Sequence, residues 1–173
     1  QRYIKPGKDV RILEGGCGIG QVVYNLQSWG YDAYGVDFAE QTIQTVKMLV
    51  PDLKLSVQDV RKLNFPNQFF DGYWSLGVIE HFYNGYDEII KEMARVIKPD
   101  GYLFLTFPVM SPLRKLKAFL GAYPNLDETA DEKTFYEFML DANSVKQNLE
   151  HQGFHLVESH PYDALKGLKD EVL

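Results

Sequence analysis

Cysteine is nearly absent from this sequence, which has Cys17 alone among its 173 residues. A single cysteine excludes an internal disulfide, and unpaired thiols are typical of a reducing compartment. The sequence also contains no long uninterrupted apolar run and no secretory leader pattern. We therefore expect no transmembrane segment and a cytoplasmic location.

Basic residues are in the minority, with 18 Lys and Arg against 24 Asp and Glu and a net charge of −6. Proteins that bind nucleic acid usually present a basic face, so a polynucleotide partner is disfavoured. Internal repeats are missing too, and the length suits one globular domain over residues 1–173. Because the sequence begins at Gln1 rather than at Met, we expect it to be cut from a longer protein.

Two nucleotide-binding fingerprints are missing from the glycine-rich turn at residues 15–20, which lies between a short apolar run and a helical pattern. The dinucleotide fingerprint G-x-G-x-x-G requires glycine or alanine at its last position, where this chain has Gln21 or Val23, depending on the register. No Lys-Ser/Thr pair follows the glycines, which argues against a P-loop. A nicotinamide-dependent oxidoreductase is therefore the less favoured alternative.

The glycine turn nevertheless indicates a ligand site. A strand that leads through glycines into a helix places backbone N–H groups and the positive end of the helix at one crevice. Glycine lets a ligand approach the backbone closely and permits a positive φ. The pattern present is Glu-x-Gly-x-Gly-x-Gly, formed by Glu14, Gly16, Gly18 and Gly20, with Cys17 inside the turn.

Predicted strands alternate with predicted helices along the chain. The strands are the run that starts at Val10, Asp32–Val36, Leu53–Val57, Phe69–Leu76, Tyr102–Phe107 and Phe154–Ser159. The helices are Ile19–Trp29, Glu40–Leu49, Tyr86–Ile97 and Asp141–Gln152, with Gly30 and Gly153 as stop signals and Asp141 as a cap. This order predicts an α/β fold with a mostly parallel sheet and helices on both faces.

The chain resembles the class I S-adenosylmethionine-dependent methyltransferases of the methyltransferase type 11-like group. The glycine pattern matches the first motif of that family, although Gly15 stands where the family usually has an apolar residue. Asp37, Asp59-Val60 and the segment from Ser75 to His81 follow the next strands in the family's order. The resemblance spans residues 10–107 nearly continuously and implies a Rossmann-like, doubly wound sheet.

Asp37 is the acid best placed to bind the ribose of such a cofactor. It ends the second predicted strand, about 20 residues beyond the glycine turn, where a carboxylate accepts hydrogen bonds from both ribose hydroxyls. The alternative is that Asp37 caps the next helix. Phe38 would pack on the adenine or, alternatively, belong to the core.

The resemblance implies further cofactor contacts at the ends of the other strands. Asp59 would meet the adenine amino group and the backbone N–H of Val60 would meet the ring. The backbone carbonyls of Ser75 and Leu76 would meet the methionine ammonium. Glu14 would lie near the methionine end of the cofactor, or else be bound by nearby backbone N–H groups.

His81 lies near the place where substrate is expected to enter. Its ordinary pKa of about 6.5 suits a general base at neutral pH, with a purely structural histidine as the alternative. No metal site is predicted. The resemblance implies methyl transfer from S-adenosylmethionine to a small-molecule acceptor. The alternative is a domain that binds the cofactor without catalysis and serves as an interaction module.

The alternation of strands and helices lapses at about residues 109–140, and connections of that length are often functional lids. The segment is rich in large apolar residues: Met110, Phe119, Tyr123, Phe135, Tyr136, Phe138 and Met139. Helical spacing relates Leu113, Leu116, Phe119 and Leu120, with Arg114, Lys115 and Lys117 between them. We expect a cap over an apolar or aromatic acceptor. The alternatives are a basic amphipathic helix on a membrane surface and a local mini-core with a charged face.

The last strand of the resembled family is expected to be missing. That family inserts a seventh, antiparallel strand between the fifth and the sixth, and Pro161–Leu173 contains no apolar run that suits it. We therefore expect an open sheet edge at Tyr102–Phe107, which invites pairing with another chain as a dimer.

Overall fold

The computed structural model describes residues 2–121 and 135–160. The strands are β1 (Arg11–Gly15), β2 (Asp32–Asp37), β3 (Leu55–Val57), β4 (Phe70–Leu76) and β5 (Ile97–Thr106). The helices are α1 (Gln21–Ser28), α2 (Glu40–Leu49), α3 (Asp87–Val96), α4 (Pro112–Phe119) and α5 (Ala142–His151). A short 3₁₀ helix, Ile79–His81, follows β4.

The five strands form one parallel sheet in the order β3-β2-β1-β4-β5. The strand order reverses between β1 and β4, and ligands of such sheets bind outside the carboxyl ends of the strands at this switch point. Gly15 at the end of β1 lies opposite Val36 of β2 and Ser75 of β4. The ends of three strands therefore meet at one edge of the sheet, and the predicted Rossmann-like fold is confirmed.

Apolar side chains cover both faces of the sheet. Ile12 packs with residues of α1 and α2 on one face, whereas its neighbour Leu13 packs with residues of α3 and α5 on the other. Both side chains are buried. This two-sided burial explains why β1 has a continuous apolar run rather than an alternating pattern.

The predicted helix-ending glycines and the predicted N-cap lie at the ends of the observed helices. Gly30 and Gly153 follow α1 and α5 with φ of 92° and 88°, a conformation that glycine adopts without strain. Asp141 caps α5, because its Oδ1 accepts hydrogen bonds from the N–H groups of Asn143 and Ser144 at 3.1 Å each.

The start of β5 differs from the prediction. The sequence predicts a turn at residues 99–101 and a strand from Tyr102, but β5 already begins at Ile97. The strand absorbs the Pro and Gly through an irregularity, where its register against β4 shifts between Phe70 and Gly72. Asp100 takes a positive φ of 62° within this irregular part.

The predicted sixth strand over Phe154–Ser159 is wrong. Among the described residues these positions pair with no strand, and Leu156 and Val157 are exposed. A strand requires a hydrogen-bonded neighbour, and the resemblance supplies that neighbour only through a seventh strand. The described sheet has five strands and contains no seventh strand, as expected, whereas Pro161–Leu173 lies outside the described residues. No described helix has the length and apolar character needed to cross a membrane.

Candidate active site

The glycine turn after β1 forms the floor of a crevice. The N–H groups of Gly16 and Cys17 both donate to the Val36 carbonyl, at 2.8 and 3.0 Å, which fixes the turn to β2. Gly18 has φ of 49°, and a Cβ built there would meet no atom within 4 Å. Gly18 therefore faces open space, so a ligand has room to approach its backbone.

Asp37 joins the glycine turn to the end of β2. Its Oδ2 accepts a hydrogen bond from the Gly18 N–H at 2.8 Å, and its Oδ1 accepts one from the Ala39 N–H at 2.9 Å. An ionised carboxylate has about four lone-pair sites, so each oxygen keeps one for a ligand hydroxyl. The N-cap of α2 is Ala39, and no side chain forms a cap hydrogen bond there, so the alternative in which Asp37 caps the next helix is wrong. Phe38 is 82% exposed, which rules out the core alternative for this side chain.

Glu14 and Ser75 place unsatisfied polar atoms at neighbouring strand ends. Glu14 is 5% exposed, and its Oε2 has no hydrogen-bond partner among the described residues. Burial, and to a smaller extent the Asp37 charge, raise the pKa of Glu14 to about 7, although the Val23 backbone N–H favours the charged form. Ser75 is fully buried, and its Oγ also lacks a partner within the described chain. Buried polar atoms of this kind are costly unless a ligand or water satisfies them.

Gly15, the departure from the family motif, is explained by Tyr73. A Cβ at Gly15 would lie 2.8 Å from Cζ of the Tyr73 ring, which is closer than real Cβ contacts occur. Tyr73 is fully buried on the adjacent strand β4, so its ring fills the space that an apolar side chain at position 15 would take. The glycine is therefore a packing adaptation and does not weaken the ligand-site prediction.

The side chains of Cys17 and Val60 point away from the crevice. Cys17 is buried with its Sγ against Gly35, and burial, with the charges of Glu14 and Asp37, raises the pKa of the thiol to about 12. Val60 packs in the core beside β4. These two residues can therefore contact a cofactor only through their backbone.

Asp59 is held by Arg61. Both carboxylate oxygens contact the guanidinium, with Nε at 3.0 Å from each and Nη2 at 2.6 Å from Oδ2. The Arg61 hydrogen bonds lower the pKa of Asp59 and keep it ionised at neutral pH. An adenine amino group at this position would share the carboxylate with Arg61.

The end of β4 leads into the histidine predicted as a base. Leu76 is the last residue of β4 and is partly exposed. His81 ends the 3₁₀ helix, and its Nδ1 lies 2.7 Å from the Tyr136 carbonyl oxygen. A carbonyl oxygen only accepts, so Nδ1 carries the proton and the Nε2 lone pair is left for another partner. The Tyr136 ring also contacts the imidazole edge to face, with 5.2 Å between centroids.

Residues 135–140 run beside this 3₁₀ helix. The Phe138 N–H donates to the Glu80 carbonyl at 2.9 Å, and the Met110 N–H donates to the Leu140 carbonyl at 2.9 Å. Tyr83, Phe135 and Phe138 form one aromatic cluster next to them. The end of the insert therefore lies against the 3₁₀ helix that follows β4.

Two acidic residues near His81 are absent from the sequence prediction. Burial raises the pKa of Glu80, the Glu137 charge raises it further, and His81 lowers it. Glu80 is adjacent to His81 in sequence, whereas Glu137 belongs to the insert. Nothing in the sequence indicates that Glu137 lies close to His81, because this contact depends on how the insert folds back.

Large apolar side chains are exposed in α4 and at the residue that follows it. Leu116, Phe119 and Leu120 are 53%, 86% and 69% exposed, which argues against the mini-core alternative for this helix. Lys115 forms an ion pair with Asp141 at 2.9 Å. Tyr123, which the sequence assigns to the cap, lies outside the described residues.

The structure is a Rossmann-like α/β domain whose glycine turn, Glu14 and Asp37 meet at the switch point of its sheet. A family model described as a methyltransferase domain matches residues 13–105, which is more than half of the chain. The chain therefore belongs to the S-adenosylmethionine-dependent methyltransferase family, and the predicted family and its cofactor, S-adenosylmethionine, are confirmed.

Three known proteins illustrate the relationship. The 2-methyl-6-phytyl-1,4-hydroquinone methyltransferase of Synechocystis is 33% identical over 98 residues, which cover 53% of this chain and 30% of the relative. The ubiquinone biosynthesis O-methyltransferase of Dechloromonas aromatica is 29% identical over 119 residues, which cover 65% of this chain and 50% of the relative. The chain thus spans half or less of these relatives. The magnesium protoporphyrin IX methyltransferase of Synechocystis, solved with bound SAH, shares the fold with a TM-score of 0.66 at 21% identity, over 90% of this chain and 68% of that one.

Proposed function

We propose that this chain binds S-adenosylmethionine at the carboxyl edge of β1, β2 and β4 and transfers its methyl group to a small-molecule acceptor. The observation that carries the proposal is Asp37, whose carboxylate is fixed by Gly18 and Ala39 while Gly18 faces open space. Such a pre-positioned carboxylate beside a glycine turn suits the two hydroxyls of a ribose.

The other residues at this edge fit the rest of the cofactor. Phe38 is exposed next to Asp37 and offers a ring face for the adenine. Asp59 and the backbone of Val60 stand at the adenine side. Glu14, with its unsatisfied buried oxygen, stands at the positively charged side, where a sulfonium and an ammonium satisfy an ionised carboxylate.

The backbone is expected to supply the remaining contacts. The turn from Gly16 through Cys17 and Gly18 to Gly20 offers its backbone for close packing, because the N–H groups of these four residues already donate to Val36, Asp37 and Cys17. The carbonyls of Ser75 and Leu76 end the strand beside it. We assign the methionine ammonium to these carbonyls, because an ammonium needs acceptors and carbonyl oxygens provide them.

The cofactor supplies an activated methyl group when bound, so the protein's task is to hold the acceptor in line and to exclude water. We assign the cap to the insert at about residues 109–140, whose end already contacts the 3₁₀ helix beside β4. His81 presents Nε2 as the proton acceptor for an acceptor hydroxyl.

The acceptor class is proposed to be aromatic or apolar. The aromatic cluster of Tyr83, Phe135 and Phe138 lies beside His81 and suits a flat apolar ring. The hydroquinone and ubiquinone named for two relatives support this class. A cytoplasmic location is proposed from the lone, buried Cys17.

Asp37→Asn tests the cofactor site. Asparagine cannot accept the Gly18 and Ala39 hydrogen bonds and ribose hydroxyls together, so S-adenosylhomocysteine should bind about ten- to a hundred-fold more weakly in calorimetry. Asp32→Asn, at the opposite end of β2, is the matched control and should keep the affinity of the wild type. Equal affinity of Asp37→Asn and wild type would remove Asp37 from the site.

Two further measurements separate the proposal from its rivals. NADH should not bind, and binding of NADH in place of S-adenosylhomocysteine would favour an oxidoreductase. A screen of phenolic and quinol acceptors with labelled S-adenosylmethionine should give methylated product. Tight S-adenosylhomocysteine binding with no turnover in any acceptor class would favour an interaction module.

A further inference from the structure

Three side chains that offer metal ligands converge beyond the end of β4. Glu80 and His81 come from the 3₁₀ helix, and Glu137 comes from the end of the insert. One carboxylate oxygen of each glutamate and one ring nitrogen of His81 lie within 4.8 Å of one another. The backbone contact between Phe138 and Glu80 holds the two segments together.

Glu80 is the least satisfied member of this cluster. It is 3% exposed, and its Oε2 has no hydrogen-bond partner in the part of the chain that the structure describes. Burying a carboxylate without a partner is costly, and a second carboxylate, that of Glu137, lies next to it. A bound cation would satisfy the orphaned oxygen and balance both charges.

The hydrogen bond of His81 to Tyr136 leaves Nε2 as the ring nitrogen that can bind a metal. The Nδ1 proton goes to the Tyr136 carbonyl at 2.7 Å, which leaves the Nε2 lone pair directed away from that hydrogen bond. Metal-bound imidazoles usually donate their other ring N–H to a carbonyl or a carboxylate in this way.

We propose that Glu80, His81 and Glu137 bind one divalent transition-metal cation such as Mn²⁺ or Zn²⁺. Mixed carboxylate and imidazole donors suit these ions. Ligand atoms about 2.0–2.2 Å from a metal lie at most roughly 4.4 Å apart, and the exposed side chains of His81 and Glu137 can make the small adjustment. Three protein ligands leave coordination positions open.

The role of the metal's open coordination positions in catalysis rests on the proposed function. A metal at this cluster would bind the acceptor oxygen and lower the pKa of the acceptor hydroxyl, whose proton would pass to solvent water. His81 would then act as a ligand and not as a free base, because Nε2 cannot serve both roles.

Mn²⁺ binding tests the site without any need for turnover. Purified metal-free protein, without cofactor, is titrated with Mn²⁺ and free Mn²⁺ is followed by electron paramagnetic resonance. We expect one Mn²⁺ per chain, with affinity reduced at least about tenfold in both Glu137→Gln and His81→Gln. Glu88→Gln, the same change at an exposed glutamate of α3, should match the wild type.

The outcomes distinguish the two proposals. Failure of the wild type to bind Mn²⁺ or Zn²⁺ at millimolar concentration would overturn the metal site, as would equal affinities of Glu137→Gln and Glu88→Gln. S-adenosylhomocysteine binding, measured on the same samples, should be unchanged in Glu137→Gln. Absence of S-adenosylhomocysteine binding by the wild type would contradict the proposed function and would not affect the conclusion from Mn²⁺ binding.

Discussion

Burial decides the chemistry of Glu14. The folded protein raises its pKa from 4.5 to about 7, so the folded state holds the proton more tightly than the unfolded chain. The resulting stability is fully present below pH 4.5 and is lost as the pH rises through 7. The ionised Glu14 carboxylate, which suits a cationic cofactor, therefore lowers the free energy of unfolding of the free protein at neutral pH.

Glu14→Gln should remove this destabilisation, because glutamine does not ionise. Relative to wild type, the variant should gain stability between pH 4.5 and 8, by up to about 3 kcal/mol, in urea unfolding without cofactor. Its affinity for S-adenosylmethionine should fall, because glutamine carries no charge to meet the sulfonium. Glu88→Gln, at an exposed position, is the control. A stability difference that does not change with pH would contradict the raised pKa.

Gly15 and Tyr73 should behave as a coupled pair. Gly15→Ala places a Cβ against the Tyr73 ring and should cost about 1–3 kcal/mol of unfolding free energy. Tyr73→Leu removes the ring, so the double variant should be more stable than the sum of the single effects predicts.

Gly18→Ala is the control for that cycle. A Cβ at Gly18 meets no atom, so its cost comes only from the positive φ and should not be relieved by Tyr73→Leu. Strict additivity of Gly15→Ala and Tyr73→Leu would show that the two residues do not compete for space.

The positions of the candidate site residues were predictable where these residues lie at the end of a strand. Glu14 and Asp37 can be placed from the sequence because parallel strands bring their carboxyl ends to one edge. The Tyr73 ring behind Gly15 and the approach of Glu137 to His81 could not be placed. Both depend on packing between segments that are distant in the sequence or separated by a long insert.

At the scale of elements, α4 is a described part of the insert whose exposed apolar side chains indicate a binding role. Leu116 and Phe119 of this helix are exposed, so they contribute little to the stability of the free protein. Phe119→Ser should therefore leave the melting temperature within about 1–2 °C of wild type. It should reduce turnover of an aromatic acceptor while S-adenosylhomocysteine affinity is kept.

Phe70→Ser, at a fully buried phenylalanine of β4, provides the contrast and should lower the melting temperature strongly. A large fall in Phe119→Ser would instead support the mini-core alternative. Sedimentation with anionic vesicles checks the membrane alternative separately. Pelleting that Phe119→Ser abolishes would assign α4 to a lipid surface rather than to the acceptor.

Elements with local signals were predicted well, and elements that depend on a neighbour were not. The cap at Asp141 and the stop at Gly30 are local signals, so α5 begins and α1 ends near the predicted residues. Residues 99–101 have turn composition, yet pairing with β4 draws them into β5. Phe154–Ser159 has strand composition, yet no neighbouring strand is present for it among the described residues.

For the whole molecule, the edge of β5 that faces away from β4 is the surface at which we expect contact with another chain. Within the described residues β5 pairs only with β4, so its other edge carries unpaired backbone groups. Such an edge is a template for another strand. We therefore expect the chain to self-associate through β5, while the cofactor crevice on β1, β2 and β4 stays intact.

Thr106→Lys tests this edge, because a lysine on an edge strand hinders pairing with another strand. Thr106 is exposed at the end of β5, so the change should not disturb the core. In sedimentation velocity over a range of concentrations, the wild type should dimerise and the variant should do so about tenfold more weakly, an effect of roughly 1.4 kcal/mol. Thr45→Lys, the same change at an exposed position of α2, should match the wild type. S-adenosylhomocysteine affinity should be equal in all three proteins, since the crevice does not include this edge. A wild type that stays monomeric at every concentration would contradict association through β5.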